Sequence, residues 1–227
     1  MDISTDLHAY KTRREDALKI FSVLDKQFVR YILLTACVVA LAVVFVVVLP
    51  QPVSAGNLPP VPANIQVPAG SKLFFDGHAI GTQDYICLPS ATGFTWTFLR
   101  PQATLFDDKN EQITTHFLSP NPSENGIGRA TWQHSRDSSI VWAIAIESSS
   151  DPDFVEPGAI PWLKLQMVNT QVGPKGGDKL TATTYIQRLN TSGGVTPTTG
   201  CAQSSDVGKR VFVPYTADYF FYKTVGN

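Results

Sequence analysis

The sequence predicts an all-β domain, a single β-sandwich or flattened barrel of about ten strands, preceded by an N-terminal hydrophobic helix. Short apolar runs separated by turn-forming clusters recur from Lys72 to the C-terminus. Gly and Pro number 16 each while charged residues make up only 16% of the chain, a composition that suits turn-rich strands better than helices. The one long apolar stretch, Tyr31–Leu49, holds 19 residues without a charge, close to the ~20 that span a bilayer core.

That stretch divides the chain. Lys26 and Arg30 precede it and no charged residue follows until Lys72, so the positive-inside bias places everything after Leu49 across the membrane. Pro50, Pro52 and the small residues Val53-Ser54-Ala55 favour cleavage after Ala55, whereas a run longer than a usual signal favours an anchor. Residues 1–30 carry six basic and five acidic residues, with Leu18, Phe21, Leu24 and Phe28 at helical spacing. They read as a cytoplasmic segment or, preferably, as an extension upstream of a start at Val29. Residues 50–68 form the cleavage region and a Pro-rich linker, and residues 69–227 the exported domain.

From Gly56 onward there are 12 Lys+Arg and 14 Asp+Glu, with no basic stripe. A nucleic-acid or anionic-lipid surface is therefore not expected. Of three cysteines, Cys37 lies in the apolar run, which leaves Cys87 and Cys201 in the exported domain. In an oxidising compartment two such cysteines most simply pair, the alternative being two buried thiols.

Taken in order, Lys72–Phe75 and Gln83–Leu88 are the first strand-like runs, followed by Phe94–Leu99 with Phe94, Trp96 and Phe98 on one face. Thr104–Phe106 and Gln112–Phe117 flank the turn Asp107-Asp108-Lys109-Asn110 and predict a hairpin. Ser119–Gly128 reads as a surface loop. Ala130–His134 and Ser139–Glu147 follow, the latter expected to turn Ile140, Trp142, Ile144 and Ile146 inward and the small Val141, Ala143 and Ala145 outward. Pro161–Asn169, Leu180–Asn190, Val211–Val213 and Ala217–Tyr222 complete the set, with Thr191–Gly200 a loop that delivers Cys201.

Gly81-Thr-Gln-Asp-Tyr-Ile-Cys87, Trp162-Leu163, Tyr185-Ile-Gln-Arg-Leu-Asn-Thr191 with Gly193-Gly194, and Val213-Pro-Tyr-Thr-Ala-Asp-Tyr219 with Phe221 together resemble domain of unknown function 3455, a family of exported bacterial and fungal proteins. The resemblance covers nearly the whole exported domain. It implies export, supports the Cys87–Cys201 pairing and implies no activity. The chain departs from the family pattern by placing Ser119–Gly128 between His116 and Trp132. An oxidoreductase label sometimes attached to the family finds no support, since no Gly-x-Gly-x-x-Gly opens a helix and no cofactor is expected.

Catalytic patterns are missing as well. No Gly-x-Ser-x-Gly elbow occurs, and Asp84, Asp137, Glu147 and Asp218 are available carboxylates without a diagnostic spacing. His78, His116 and His134 are too widely spaced for a zinc motif and read as structural. Asn190-Thr191-Ser192 is a glycosylation sequon that matters only in a eukaryotic secretory pathway.

Gln187 and Arg188 are adjacent on a strand and must face opposite sides. If Tyr185 and Leu189 face the core, Gln187 is buried and Arg188 points outward; that arrangement is preferred because it buries more apolar surface. The best ligand-facing residues are Trp132, Tyr215, Tyr219 and Tyr222, whose rings could stack on sugars, with Arg188 and His116 beside them. The expected function is non-catalytic binding of a glycan or surface partner, with the membrane contacted only through Tyr31–Leu49 if uncleaved. The alternatives are an exported hydrolase whose Asp, Glu and His residues meet only in the fold, and a structural envelope protein.

Overall fold

A computed structural model describes residues 58–224. Its strands are β1 (Ser71–Ser90), β2 (Gly93–Phe106), β3 (Gln112–Asn121), β4 (Ile127–His134), β5 (Ile140–Ser149), β6 (Trp162–Gln171), β7 (Tyr185–Gly193) and β8 (Arg210–Thr224). Each pairs antiparallel with the next and β8 pairs with β1, so the sheet closes into an eight-stranded barrel. The all-β class stands, but a closed barrel replaces the sandwich and eight strands replace about ten. Tyr31–Leu49 and Val53–Ala55 lie outside the described residues, among which no helix is long and apolar enough to cross a membrane.

The excess of expected strands came from reading Gly and Pro as breaks. Lys72–Phe75 and Gln83–Leu88 are two ends of β1, Phe94–Leu99 and Thr104–Phe106 two ends of β2, and Val211–Val213 and Ala217–Tyr222 two parts of β8. In a barrel such residues let long tilted strands coil and approach closely. Gly81 pairs with Ala103 on one side and Tyr215 on the other, and a Cβ there would sit 2.0 Å from the Gln102 carbonyl oxygen. Pro101, opposite Gln83, adjoins the β-bulge at Asp84/Tyr85.

Ser119–Gly128 is a tight hairpin rather than a loose loop. β3 runs to Asn121, a 3-10 turn covers Pro122–Glu124, and Asn125 (φ 53°) and Gly126 (φ 81°) take left-handed conformations that lead into β4. The buried Asn121 side chain holds this turn: its Oδ1 accepts from Ser123 N (3.1 Å) and Asn169 Nδ2 (2.8 Å), and its Nδ2 donates to Glu124 (2.6 Å).

Side-chain alternation fills the barrel. Phe75, Ala79, Leu105, Trp132, Val141, Ala143, Leu165, Ile186, Tyr215, Ala217, Tyr219 and Phe221 belong to the inner cluster. On β5 the faces are the reverse of the expectation: Val141 and Ala143 are buried inside, while Ile144 and Ile146 are exposed outside. Val141 faces inward directly opposite Trp132, where Trp132 and Phe221 already occupy the interior and leave room only for a small side chain, whereas Ala143 borders unfilled space nearer the other end. Trp142 is buried on the outer face, where its Nε1 donates to Ser119 Oγ at 2.9 Å.

A second cluster lies on the outer face of β6–β8, where Ile65 and Val155 pack on Trp162, Leu189, Phe220 and Tyr222. Each such side chain contributes about 1.5–3 kcal/mol on full burial, so the lead-in segment is a structural cover for β7 and β8. Gln187 is buried beneath it: Nε2 donates to the Ile65 carbonyl and Oε1 accepts from Tyr222 Oη, both at 2.7 Å. The hydrophobic pattern thus covers β7 on both sides. Arg188, expected to point outward, lies on the face of Ile186 and lines the barrel interior.

Candidate functional site: a cavity at the disulfide end of the barrel

The two ends of the barrel are filled differently. Phe75, Leu105, Ile113, Val141, Leu180 and Phe221 pack one end with apolar side chains. At the other, a cavity of about 240 Å³ is lined by residues from all eight strands. The disulfide lies at this end: Cys87, near the end of β1 and beyond Gln83, is bonded to Cys201 with a Cα–Cα distance of 5.5 Å. The pair therefore forms, in keeping with the two-cysteine reading.

Register explains the lining. Gln83 on β1 lies opposite Pro101 on β2, His116 on β3 opposite Trp132 on β4, Leu163 on β6 opposite Arg188 on β7, and Arg188 opposite Tyr219 on β8. The register thus brings these inward positions to one cavity. Ala130, Ala143 and Ala145 leave the space that the larger residues surround.

The wall is an aromatic stack. The His116 ring lies 4.1 Å from Trp132 with 9° between planes, and Tyr219 meets the two edge-on or tilted at 5.2 and 5.4 Å. His116 Nδ1 is 2.9 Å from the Thr131 carbonyl oxygen. A carbonyl only accepts, so Nδ1 carries the proton and Nε2 keeps its lone pair. Burial pushes the His116 pKa down to about 3, against the opposing Thr131 hydrogen bond and with help from the Arg188 charge. The imidazole is therefore neutral at physiological pH and a weak base there. Burial raises the phenol pKa values of Tyr215 and Tyr219, so both stay protonated, their hydroxyls 3.3 Å apart.

Two arginines reach the cavity and differ in their partners. Arg129 makes a two-point contact with Glu124, Nε to Oε2 at 2.8 Å and Nη2 to Oε1 at 2.6 Å. That contact, with help from Asn121, pulls the Glu124 pKa down to about 2. Arg188 donates from Nη2 to the Pro161 carbonyl at 2.8 Å and adjoins the Tyr219 hydroxyl. Among the described residues no carboxylate lies within ion-pair distance of it. Its Nε is buried without a hydrogen-bond partner, as are Gln83 Nε2 and Trp132 Nε1. All three of these groups are donors on residues lining one cavity.

The ligand-facing residues expected from sequence divide accordingly. His116, Trp132, Tyr219 and Arg188 meet at the cavity; Tyr215 lies inside the barrel behind Tyr219; Tyr222 sits on the outer face under the lead-in segment, where burial raises its pKa to about 12. None of the four aromatics is exposed. No ligand-binding sequence motif marks Gln83 or Arg129, although the alternation Ala79, Gly81, Gln83 places Gln83 inward once the β1 face is known. Asp218 accepts from His78 Nδ1 at 2.6 Å and Asn190 Nδ2 at 2.7 Å on the outer face, away from Arg188. Asp84 is buried against Arg100 (3.0 Å) and Gln102 (2.5 Å). No group of three or more His, Cys, Asp or Glu among the described residues is placed to hold a metal ion.

Compared with known families, residues 68–223 match the model described as Protein of unknown function (DUF3455). Neither the curated proteins nor the solved structures compared with the chain include a match.

Proposed function

The chain belongs to the DUF3455 family, whose description assigns no activity, and we propose from its site that the domain is an extracytoplasmic, non-catalytic barrel that takes a small molecule into its disulfide-bonded end. The single observation that carries this is the cavity built by all eight strands, with unpaired donors in its lining. An eight-stranded barrel is just wide enough to be filled by side chains or to hold one small ligand. At about 240 Å³ the space is below the ~300–1,000 Å³ of drug-sized sites. That suits one sugar unit or a comparable small molecule better than a polymer laid across exposed aromatics. The Cys87–Cys201 bond fits an oxidising compartment.

Non-catalytic binding is favoured over hydrolysis by the chemistry of the lining. It includes no Asp or Glu, and His116, with a pKa of about 3, is poorly matched to general-base work near neutrality. The test is a thermal-shift and tryptophan-fluorescence screen of the purified full chain against sugars, sugar acids and small carboxylates. Ala145→Trp, which fills the mouth from an exposed position, serves as the blocked control. Hits in the wild type that disappear in Ala145→Trp support the proposal. Absence of any such hit, with turnover of a chromogenic glycoside or ester, would replace it with the hydrolase.

A further inference from the structure

Resting on that reading, we infer that the ligand is a small organic carboxylate with an apolar or aromatic body, seated acid-first on Arg188. A guanidinium carried into a barrel interior without a counter-ion is unfavourable unless something supplies the negative charge. Arg129 shows how this protein neutralises an arginine at the same cavity, through the two-point contact with Glu124. Arg188 lacks an equivalent among the described residues and uses one donor on the Pro161 carbonyl. The groups around it offer no substitute charge: His116 is a neutral ring and the tyrosines are protonated phenols.

The hydrogen-bonding inventory points the same way. Gln83 Nε2, Trp132 Nε1 and Arg188 Nε are buried donors without a partner on residues that line the cavity, and a carboxylate presents two oxygens with about four lone-pair sites and matches the guanidinium fork. A neutral polyol would bring a donor with every acceptor oxygen into a donor-rich site.

The rim fixes the orientation. Phe98 and Leu118 line the cavity yet remain 50% and 42% exposed, and Ile144 of the outer face borders its edge at 37%. Leu163, directly opposite Arg188, and Leu165 and Ala143 add to the apolar lining. A ligand whose acid end reaches Arg188 leaves its hydrocarbon body against these side chains and removes them from water. The reverse orientation would strand the carboxylate on the apolar collar and leave Arg188 unpaired.

The experiment compares acid with isosteric amide: phenylacetate against phenylacetamide and octanoate against octanamide, with glucose as the neutral polar probe. Calorimetric titration of the purified full chain at pH 7 should show each acid binding roughly 10- to 100-fold tighter than its amide, the range for hydrogen bonds to a charged group. Arg188→Gln should abolish that preference, while Arg188→Lys, which keeps the charge but loses the fork, retains part of it. The phenyl and octyl pairs separate an aromatic from an aliphatic body. Equal affinity for acid and amide, or preference for glucose, with both lost in Ala145→Trp, overturns the carboxylate while leaving the cavity reading standing. No binding sensitive to Ala145→Trp overturns both. Should Arg188→Gln fail to fold, the wild-type acid-to-amide ratio still decides.

Discussion

Opening the Cys87–Cys201 bond should destabilise the barrel by about 4–5 kcal/mol. The bond spans a sequence separation of 114 residues, and restoring the freedom of a loop that long to the unfolded chain gives this figure in the chain-entropy model. Native contacts at the same place do not replace it. The Cys87 amide donates to the Lys209 carbonyl, Gly208 N to the Cys87 carbonyl, and Trp96 Nε1 to the Thr199 carbonyl, at 2.8–2.9 Å. They hold the β7–β8 connection in the folded state but vanish on unfolding, whereas the covalent link does not. For a domain of this size ~1 kcal/mol corresponds to roughly 2–4 °C, so Tm should fall by about 10–20 °C. Urea denaturation followed by tryptophan fluorescence should show a lower midpoint and a steeper m-value, because the uncrosslinked unfolded chain exposes more surface. Two forms should be compared, the reduced wild type and Cys87→Ala/Cys201→Ala. Cys87 is fully buried, so the double substitution adds a small packing loss that reduction does not. A loss below about 1.5 kcal/mol with an unchanged m-value in the reduced protein would refute the loop-entropy account.

Two further perturbations test the rest of the architecture. His78, held between Asp218 at 2.6 Å and Asp108 at 3.2 Å, has a raised pKa, since the two carboxylates outweigh the burial that opposes them. A raised folded-state value contributes stability fully present below about pH 6.5 and lost as pH rises through the folded value. The stability advantage of wild type over His78→Gln should therefore be greatest near pH 5.5 and shrink towards pH 8, as read by urea midpoints; a constant difference would count against it. Tyr222→Phe deletes the hydroxyl that donates to buried Gln187 and should cost about 1–3 kcal/mol. Pairing it with Gln187→Leu should recover part of that loss in a double-mutant cycle, and strict additivity would sink the network.

The sequence alone determined the chemical character of the chain. Turn residues between β-branched and aromatic runs dictate strands, the Asp107–Asn110 turn appears as the β2–β3 connection, and two cysteines in one domain pair. These features were legible because local propensity and counting suffice for them. Closure was not legible. A sandwich and a barrel share the same alternation; the β1–β8 pairing closes the sheet, and the β1–β2 and β1–β8 ladders together show that Gly77, Gly81, Pro101 and Pro214 lie within strands. Facing was decided by packing: Val141 turns inward where Trp132 and Phe221 leave room only for a small side chain, and Ala143 and Ala145 on the same face border the cavity. The direction of Arg188 followed from a contact remote in sequence. Ile65 covers the outer face of β7 and gives Gln187 its hydrogen-bond partner, which leaves the barrel interior to Ile186 and Arg188. Side-chain period tells which residues share a face, but which face meets the cavity depends on packing between segments far apart in the chain.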